Sequence, residues 1–261
     1  MDLQLKNRLA LVSGSTAGIG HAIAHSLAAE GARVIVNGRT QAAVAAAVAA
    51  IEAATGNRPL GFAGDLSQAE VAEALVRQHP GIEILVNNLG IFEAKPFEDI
   101  PDADWQRFFD VNVLSGVRLA RLVLPAMKAA NWGRVIFISS ESAIQIPAEM
   151  VHYGMTKTAQ LAVSRGLAES LAGTGITVNS VLPGPTRSRG VNDFVEQVSN
   201  GKSFAEFETE FFEKVRPTSL IKRFSTPEEV AALVTYVASP LASATTGAAL
   251  RVDGGTTKSA F

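Results

Sequence analysis

Short runs that are apolar at nearly every position alternate along the chain with longer, alanine-rich stretches. The runs Arg8–Ser13, Arg33–Asn37, Leu60–Ala63, Ile82–Asn87, Arg134–Ser139, Thr177–Leu182 and Ala249–Val252 predict strands. The stretches between them predict helices at Ile19–Glu30, Gln41–Thr55, Gln68–His79, Asp102–Ala130 (broken near Asn112), Val151–Ala172 and Pro227–Ala238. Strands that are apolar on both faces belong to a parallel sheet covered by helices on each side. Strand–helix alternation throughout requires βαβ crossovers. The expected fold class is α/β: one Rossmann-like, doubly wound parallel sheet of about seven strands with helices on both faces. No repeat or linker divides the sequence, so residues 1–261 are expected to form a single domain.

One stretch departs from this rhythm. Residues 185–225 lie between the sixth strand and the next helix, and an insertion of that length in a compact domain is usually functional. Its centre, Ser203–Lys214, places Phe204, Phe207 and Phe211 at i, i+3 and i+7. That spacing predicts an amphipathic helix, read here as a lid over a substrate site.

Composition narrows the function. With 23 basic and 25 acidic residues the net charge is -2, which lacks the basic excess of a nucleic-acid protein. There is no cysteine, which removes disulfides, thiolate catalysis and cysteine-bound metals. His21 and His25 are one helical turn apart but lie in no metal-binding pattern, so no metal is expected. Residues 1–8 lack the layout of a secretion signal, and no apolar run approaches the ~18 residues that span a bilayer. A cytoplasmic protein with no membrane partner is expected.

The first strand–helix junction reads Ser13-Gly14-Ser15-Thr16-Ala17-Gly18-Ile19-Gly20. Gly14 suits a sharp turn, Gly18 a close approach of the backbone to a pyrophosphate, and Gly20 tight packing of the helix start. Free N–H groups at that helix start favour phosphate. The second strand ends Asn37-Gly38-Arg39, with no carboxylate to accept ribose hydroxyls. Arg39 instead offers charge-assisted bonds to a 2′-phosphate, so NADP is expected, with NAD as the alternative. Asp65-Leu66 at the third strand end suits an adenine contact or a helix cap. Asn88 and Gly90 after the fourth strand suit a ribose contact and a close backbone approach.

At the chemical end, Tyr153 and Lys157 are four residues apart and share a helix face. A nearby ammonium is expected to lower the tyrosine pKa and make the phenol a proton donor or acceptor near neutrality. Ser140, at the end of the fifth strand, carries a hydroxyl able to hold a substrate oxygen.

Taken together, these residues make the chain resemble the short-chain dehydrogenase/reductases along essentially its whole length. The motifs are Gly14-x-x-x-Gly18-Ile19-Gly20, Asn87-Asn88-Leu89-Gly90, Asn112, Ser140, Tyr153-x-x-x-Lys157, Asn179, Pro183-Gly184 and Val252-Asp253-Gly254-Gly255. The resemblance implies a catalytic tetrad of Asn112, Ser140, Tyr153 and Lys157. Tyr153 would be the acid/base and Ser140 the carbonyl holder, while Lys157 would bind the ribose and Asn112 would hold a relay water. It implies contacts of Pro183, Gly184 and Thr186 with the nicotinamide end. It also implies a homotetramer, or a homodimer, built on the Asp102–Ala130 and Val151–Ala172 helices. Ser13 stands where threonine is usual in the family, Leu89 where alanine is, and Glu141 after Ser140 is uncommon. Glu149 and His152 are expected to crowd the approach to Tyr153.

The expected function is NADP(H)-dependent hydride transfer between a nicotinamide and a small-molecule carbonyl or secondary alcohol. The alternatives are a non-redox enzyme that keeps its nicotinamide, of epimerase or dehydratase type, and a non-catalytic nucleotide sensor.

Overall fold

A computed structural model of the chain describes residues 1–187 and 203–260. Among these residues the strands are β1 (Leu9–Val12), β2 (Arg33–Gly38), β3 (Leu60–Ala63), β4 (Ile84–Asn87), β5 (Gly133–Ile138), β6 (Ile176–Pro183) and β7 (Ala249–Val252). They form one sheet in the order β3-β2-β1-β4-β5-β6-β7, and each neighbouring pair is parallel. The helices are α1 (Gly18–Ala29), α2 (Gln41–Thr55), α3 (Ala69–Gln78), α4 (Asp102–Phe109), α5 (Ser115–Ala130), α6 (Val151–Ser170), α7 (Phe204–Glu210) and α8 (Pro227–Val237).

Both faces of the sheet are covered, as the strand pattern requires. One core joins side chains of α1, α2 and α8 to the sheet through Ile23, Leu27, Val44, Ile51, Val230 and Val234. The other joins α3 and α5 to the opposite face through Leu75, Leu119, Val123 and Met127. Local chemistry sets several helix ends. Thr40 caps α2 through a bond from the Ala43 N–H, and Gly56 ends it at φ +73°. Thr226 and Glu229 form a reciprocal cap ahead of Pro227 on α8.

The break near Asn112 is a π-helical turn, Asp110–Leu114, between α4 and α5. The wider turn is an interruption that often marks a functional position. Here the Asn112 carbonyl is taken by the Gln160 side-chain amide at 2.5 Å.

The insertion is closed at its neck. Thr186 pairs with Ser225 as a parallel bridge, Ser225 N–H donates to the Pro185 carbonyl and Arg187 N–H to the Ser225 carbonyl. Part of the expected lid, residues 188–202, lies outside the described residues. The expected helix is present as α7 followed by a second π-helical turn, Phe211–Val215. The stripe Phe204, Phe207, Phe211 is only half-buried; the side chains that reach the interior are Phe212 and Phe224. A π turn holds more than 3.6 residues, so the helical wheel slips by one position there.

Candidate active site

The sheet order reverses between β1 and β4, and the crevice outside their carboxyl ends is where open α/β sheets bind ligands. A cleft of about 90 Å³ lies there, lined by Gly14, Thr16, Asn37, Gly38, Arg39, Gly64, Asp65, Leu66 and Leu89. Gly14 and Gly18 take φ of +61° and +56°, which bends the loop in a way L side chains resist. Helix α1 begins without a side-chain cap and without an acidic residue in its first turn, leaving its first N–H groups for an anion. Ile19, in the first turn of α1, is half-buried against the core.

Several residues expected to touch a nucleotide also bond within the walls of the cleft. The Asn37 side chain accepts from Gly14 N–H and donates to the Phe62 and Gly64 carbonyls. The Ser15 hydroxyl donates to the Val12 carbonyl and accepts from Asn37 N–H. The Asn88 amide donates to the Ser13 and Gly14 carbonyls. The Ser13 hydroxyl accepts from the N–H groups of Asn88 and Leu89, so serine does the stitching with the hydroxyl it shares with threonine. Asp65 accepts from Ser67 N–H and caps its turn; the Leu66 side chain is core. Arg39 is exposed at the cleft and makes no ion pair among the described residues. Leu89 packs into the cleft wall beside Gly14.

At the other end, Ser140 follows β5, and α6 brings Tyr153 and Lys157 beside it. A Cβ on Gly90 would stand 3.5 Å from both Asn112 Oδ1 and Lys157 Nζ, so Gly90 joins the nucleotide cleft to the chemical end. Asn112 is buried; it accepts from Ile91 N–H at 2.8 Å and donates to the Ile91 carbonyl and to Thr156 Oγ1, each at 3.0 Å. Pro183 closes β6 opposite Val252. Gly184 lies against the Asp253 backbone, and the buried Thr186 hydroxyl donates to the Gly184 carbonyl. Asn179 ties β6 to the segment before β7 through the Thr245 carbonyl and Ala248 N–H.

Two expectations are corrected. Lys157 does not acidify the phenol: its Nζ donates to the Ile138 carbonyl at 2.9 Å and to Gln160 Oε1 at 3.4 Å. It stands 5.6 Å from the centre of the Tyr153 ring. Burial pushes the Tyr153 phenol well above the ordinary tyrosine value, and the Glu141 charge adds to this; a Ser140 bond and the Arg216 charge oppose it. His152 does not crowd the approach to Tyr153. It is fully buried, packed against Phe108 with ring centres 4.0 Å apart and against Trp105. Adjacent helical positions point about 100° apart, which carries it away from Tyr153.

Sequence reasoning missed Gln160 and Arg216. Gln160 lies one turn beyond Lys157 on its own face, a spacing that would have found it. Arg216 lies outside any periodic pattern.

Burial pulls Lys157 down to about 8. Between pH ~8 and its unfolded value near ~10.4, the unfolded chain holds the proton and the folded chain does not, so stability attributable to this residue rises with pH. Relative to a Lys157→Met variant, wild type should gain on the order of 3 kcal/mol across that window, and nothing further below it. Denaturant unfolding of both proteins from pH 7 to 10.5 checks this; a constant difference would contradict it.

Residues 14–257 match a family model described as enoyl-(acyl carrier protein) reductase. The chain is 48% identical to the uncharacterized oxidoreductase YvaG of Bacillus subtilis, with both chains covered in full. Its fold matches L-sorbose reductase from Gluconobacter frateurii, solved with NADPH and L-sorbose, at a TM-score of 0.94 and 30% identity, covering 99% of this chain and 100% of that one. It matches a short chain dehydrogenase/reductase family protein at a TM-score of 0.85 and 33% identity, covering 97% and 98%.

Proposed function

The chain belongs to the short-chain dehydrogenase/reductase family and is an oxidoreductase, and from that premise we propose that it reduces a small-molecule carbonyl with NADPH, using Tyr153 as proton donor. The observation that carries the reading is the meeting of Ser140, Tyr153 and Lys157 at the carboxyl end of β5, with Gly90 leading from them to the cleft at the β1–β4 switch point.

The residues present fit a nicotinamide dinucleotide. The positive-φ glycines, the uncapped α1 and the cleft floor of Gly38 and Gly64 suit a phosphate chain and an adenosine. The Arg39 guanidinium, without an ion pair among the described residues, suits a 2′-phosphate, and the relative solved with NADPH supports this choice. When bound, the nicotinamide supplies the hydride to the carbonyl carbon. Tyr153 gives its proton to the carbonyl oxygen, and the two additions together make the alcohol. The phenol is protonated at neutral pH, the state a proton donor to a carbonyl oxygen must have. Lys157, beside Gly90, is placed for a ribose hydroxyl. Asn112 locks α4–α5 to the Ile91 backbone and to Thr156, and its carbonyl anchors Gln160, the neighbour of Lys157.

Residues 185–225 would form the substrate-facing insertion of the single domain. An open depression of about 600 Å³ on the outer face of α5 and α6, lined by Val117, Leu124, Pro125, Val163 and Leu167 among others, lies away from the cleft. It supports self-association through these helices. Among the described residues no helix is long and apolar enough to cross a membrane, and a cytoplasmic location accords with the reading.

A panel of ketones and alcohols followed at the nicotinamide absorbance with both cofactors tests the proposal. NADPH oxidation by at least one ketone is expected; tightly held nicotinamide without net turnover would favour a non-redox role. Within the same assay, Arg39→Ala should raise KM for NADPH about 10–100-fold, the worth of a charge-assisted bond, and leave NADH nearly unchanged. Equal losses would remove the case for a 2′-phosphate contact.

A further inference from the structure

Gln160 lies on α6, buried at 1% exposure, between two groups of the site. Its side-chain nitrogen donates to the Asn112 carbonyl at 2.5 Å, and its Oε1 accepts from Lys157 Nζ at 3.4 Å. Chemistry allows the amide only this way round. A carbonyl can only accept and an ammonium can only donate, so the nitrogen faces Asn112 and the oxygen faces Lys157. Turned over, the buried amide would set oxygen against oxygen and N–H against ammonium, and leave both bonds unmade. The Asn112 side chain is already bonded to Ile91 and Thr156. Gln160 therefore takes the backbone carbonyl, in the π-helical turn Asp110–Leu114, and ties Lys157 to a residue 48 positions from Gln160.

An ammonium carries three hydrogens on a flexible four-carbon stem. The Ile138 carbonyl takes one at 2.9 Å and Gln160 Oε1 takes a second. A single acceptor would let Nζ turn about it. Two acceptors, one from β5 and one from the next turn of α6, fix the direction of the third hydrogen. Nζ also lies 3.5 Å from the place a Cβ on Gly90 would occupy, and Gly90 is exposed.

We propose that Gln160 is a positioning residue of this site: it holds Lys157 Nζ between its own Oε1 and the Ile138 carbonyl, and so directs the third N–H past Gly90 to a ribose hydroxyl of the bound nucleotide. The inference rests on the reading of the cleft as a nicotinamide dinucleotide site. The bond also bears on the charge of Lys157. Burial lowers this residue to about 8, and the titratable side chain beside it is Tyr153, with its ring centre 5.6 Å from Nζ. A neutral acceptor on the ammonium favours the charged form, so Gln160 opposes the effect of burial.

Two measurements test this, and neither needs turnover. In protein labelled with carbon-13 at lysine Cε, the resonance missing from Lys157→Met belongs to Lys157, and its titration is followed without nucleotide. Gln160→Met, close to glutamine in length and lacking both bonds, should lower the midpoint by about half a unit or more. Gln160→Glu, which sets an opposite charge beside the ammonium, should raise it. In fluorescence titrations Gln160→Met should weaken NADPH about 3–10-fold, part of the worth of a charge-assisted bond. It should leave adenosine 2′,5′-bisphosphate, which lacks the nicotinamide ribose, unchanged. Placed in Lys157→Met, the same substitution should change neither affinity, because no ammonium is left to position. If Gln160→Met fails to fold, the upward shift in Gln160→Glu decides. A Lys157 midpoint unmoved in the folded variants, or a loss of NADPH affinity equally large in the Lys157→Met background, would overturn the proposal. Wild type that binds NADPH but reduces no ketone would strike the reductase reading alone, whereas wild type that binds no nicotinamide dinucleotide would strike the nucleotide site and this proposal together.

Discussion

Replacing Tyr153 with phenylalanine should lower turnover about 10²–10⁴-fold, the usual contribution of a positioned acid, while NADPH still binds with nearly wild-type affinity. The change removes one hydroxyl and keeps the ring, which meets Phe92 edge-on at 6.4 Å, so the packing that locates α6 is retained. Ser140 keeps its bond to Glu141, and Lys157 keeps the Ile138 carbonyl. The loss should fall on kcat, because the proton is needed only as negative charge develops on the carbonyl oxygen. Steady-state kinetics beside a nucleotide titration separate the two quantities. Turnover within a few-fold of wild type would mean that another group delivers the proton.

Much of the frame behind this experiment was legible in the residues themselves. All-apolar strands and long alanine-rich helices left one arrangement, and the boundaries at Gln41–Thr55, Leu60–Ala63 and Ala249–Val252 coincide with the structure. The break near Asn112 was placed from the sequence, although its π-helical form needed coordinates. What could not be read was where long or bonded side chains point. Spacing placed Lys157 on the face of Tyr153, but a four-carbon stem lets the ammonium choose the Ile138 carbonyl instead. Asn37 and Asn88 occupy positions that face the cleft, yet their amides also bond within its walls. The Glu141–Arg216 pair joins residues 75 apart; no local period connects a turn after β5 to a residue within the insertion, and only the fold brings them together.

The loop's packing leads to the second large effect, that Gly20→Ala should cost about 100-fold or more in NADPH affinity. A methyl at this position would stand 2.5 Å from the Gly14 carbonyl oxygen and nearer still to the Asn88 amide nitrogen. Neither neighbour can yield freely. The Gly14 carbonyl is backbone, in a residue already bent to φ +61°, and it accepts from the same Asn88 amide that is bonded to Ser13. The start of α1 must therefore move away from the loop, at roughly 1–3 kcal/mol of overpacking. That shift carries the helix N–H groups off the phosphate position, and losing two charge-assisted bonds at about 1.5–3 kcal/mol each gives the expected factor. Ala24, also on α1 and fully buried in the core, supplies the contrast: Ala24→Gly should lower the thermal midpoint through the helix and the core while sparing affinity. Fluorescence titration with NADPH, together with melting curves for both variants, distinguishes the cases. If Gly20→Ala lowered stability yet bound NADPH as wild type does, the α1 N-terminus would not be the phosphate site, because the contact that sets its position against the loop would have been broken without consequence.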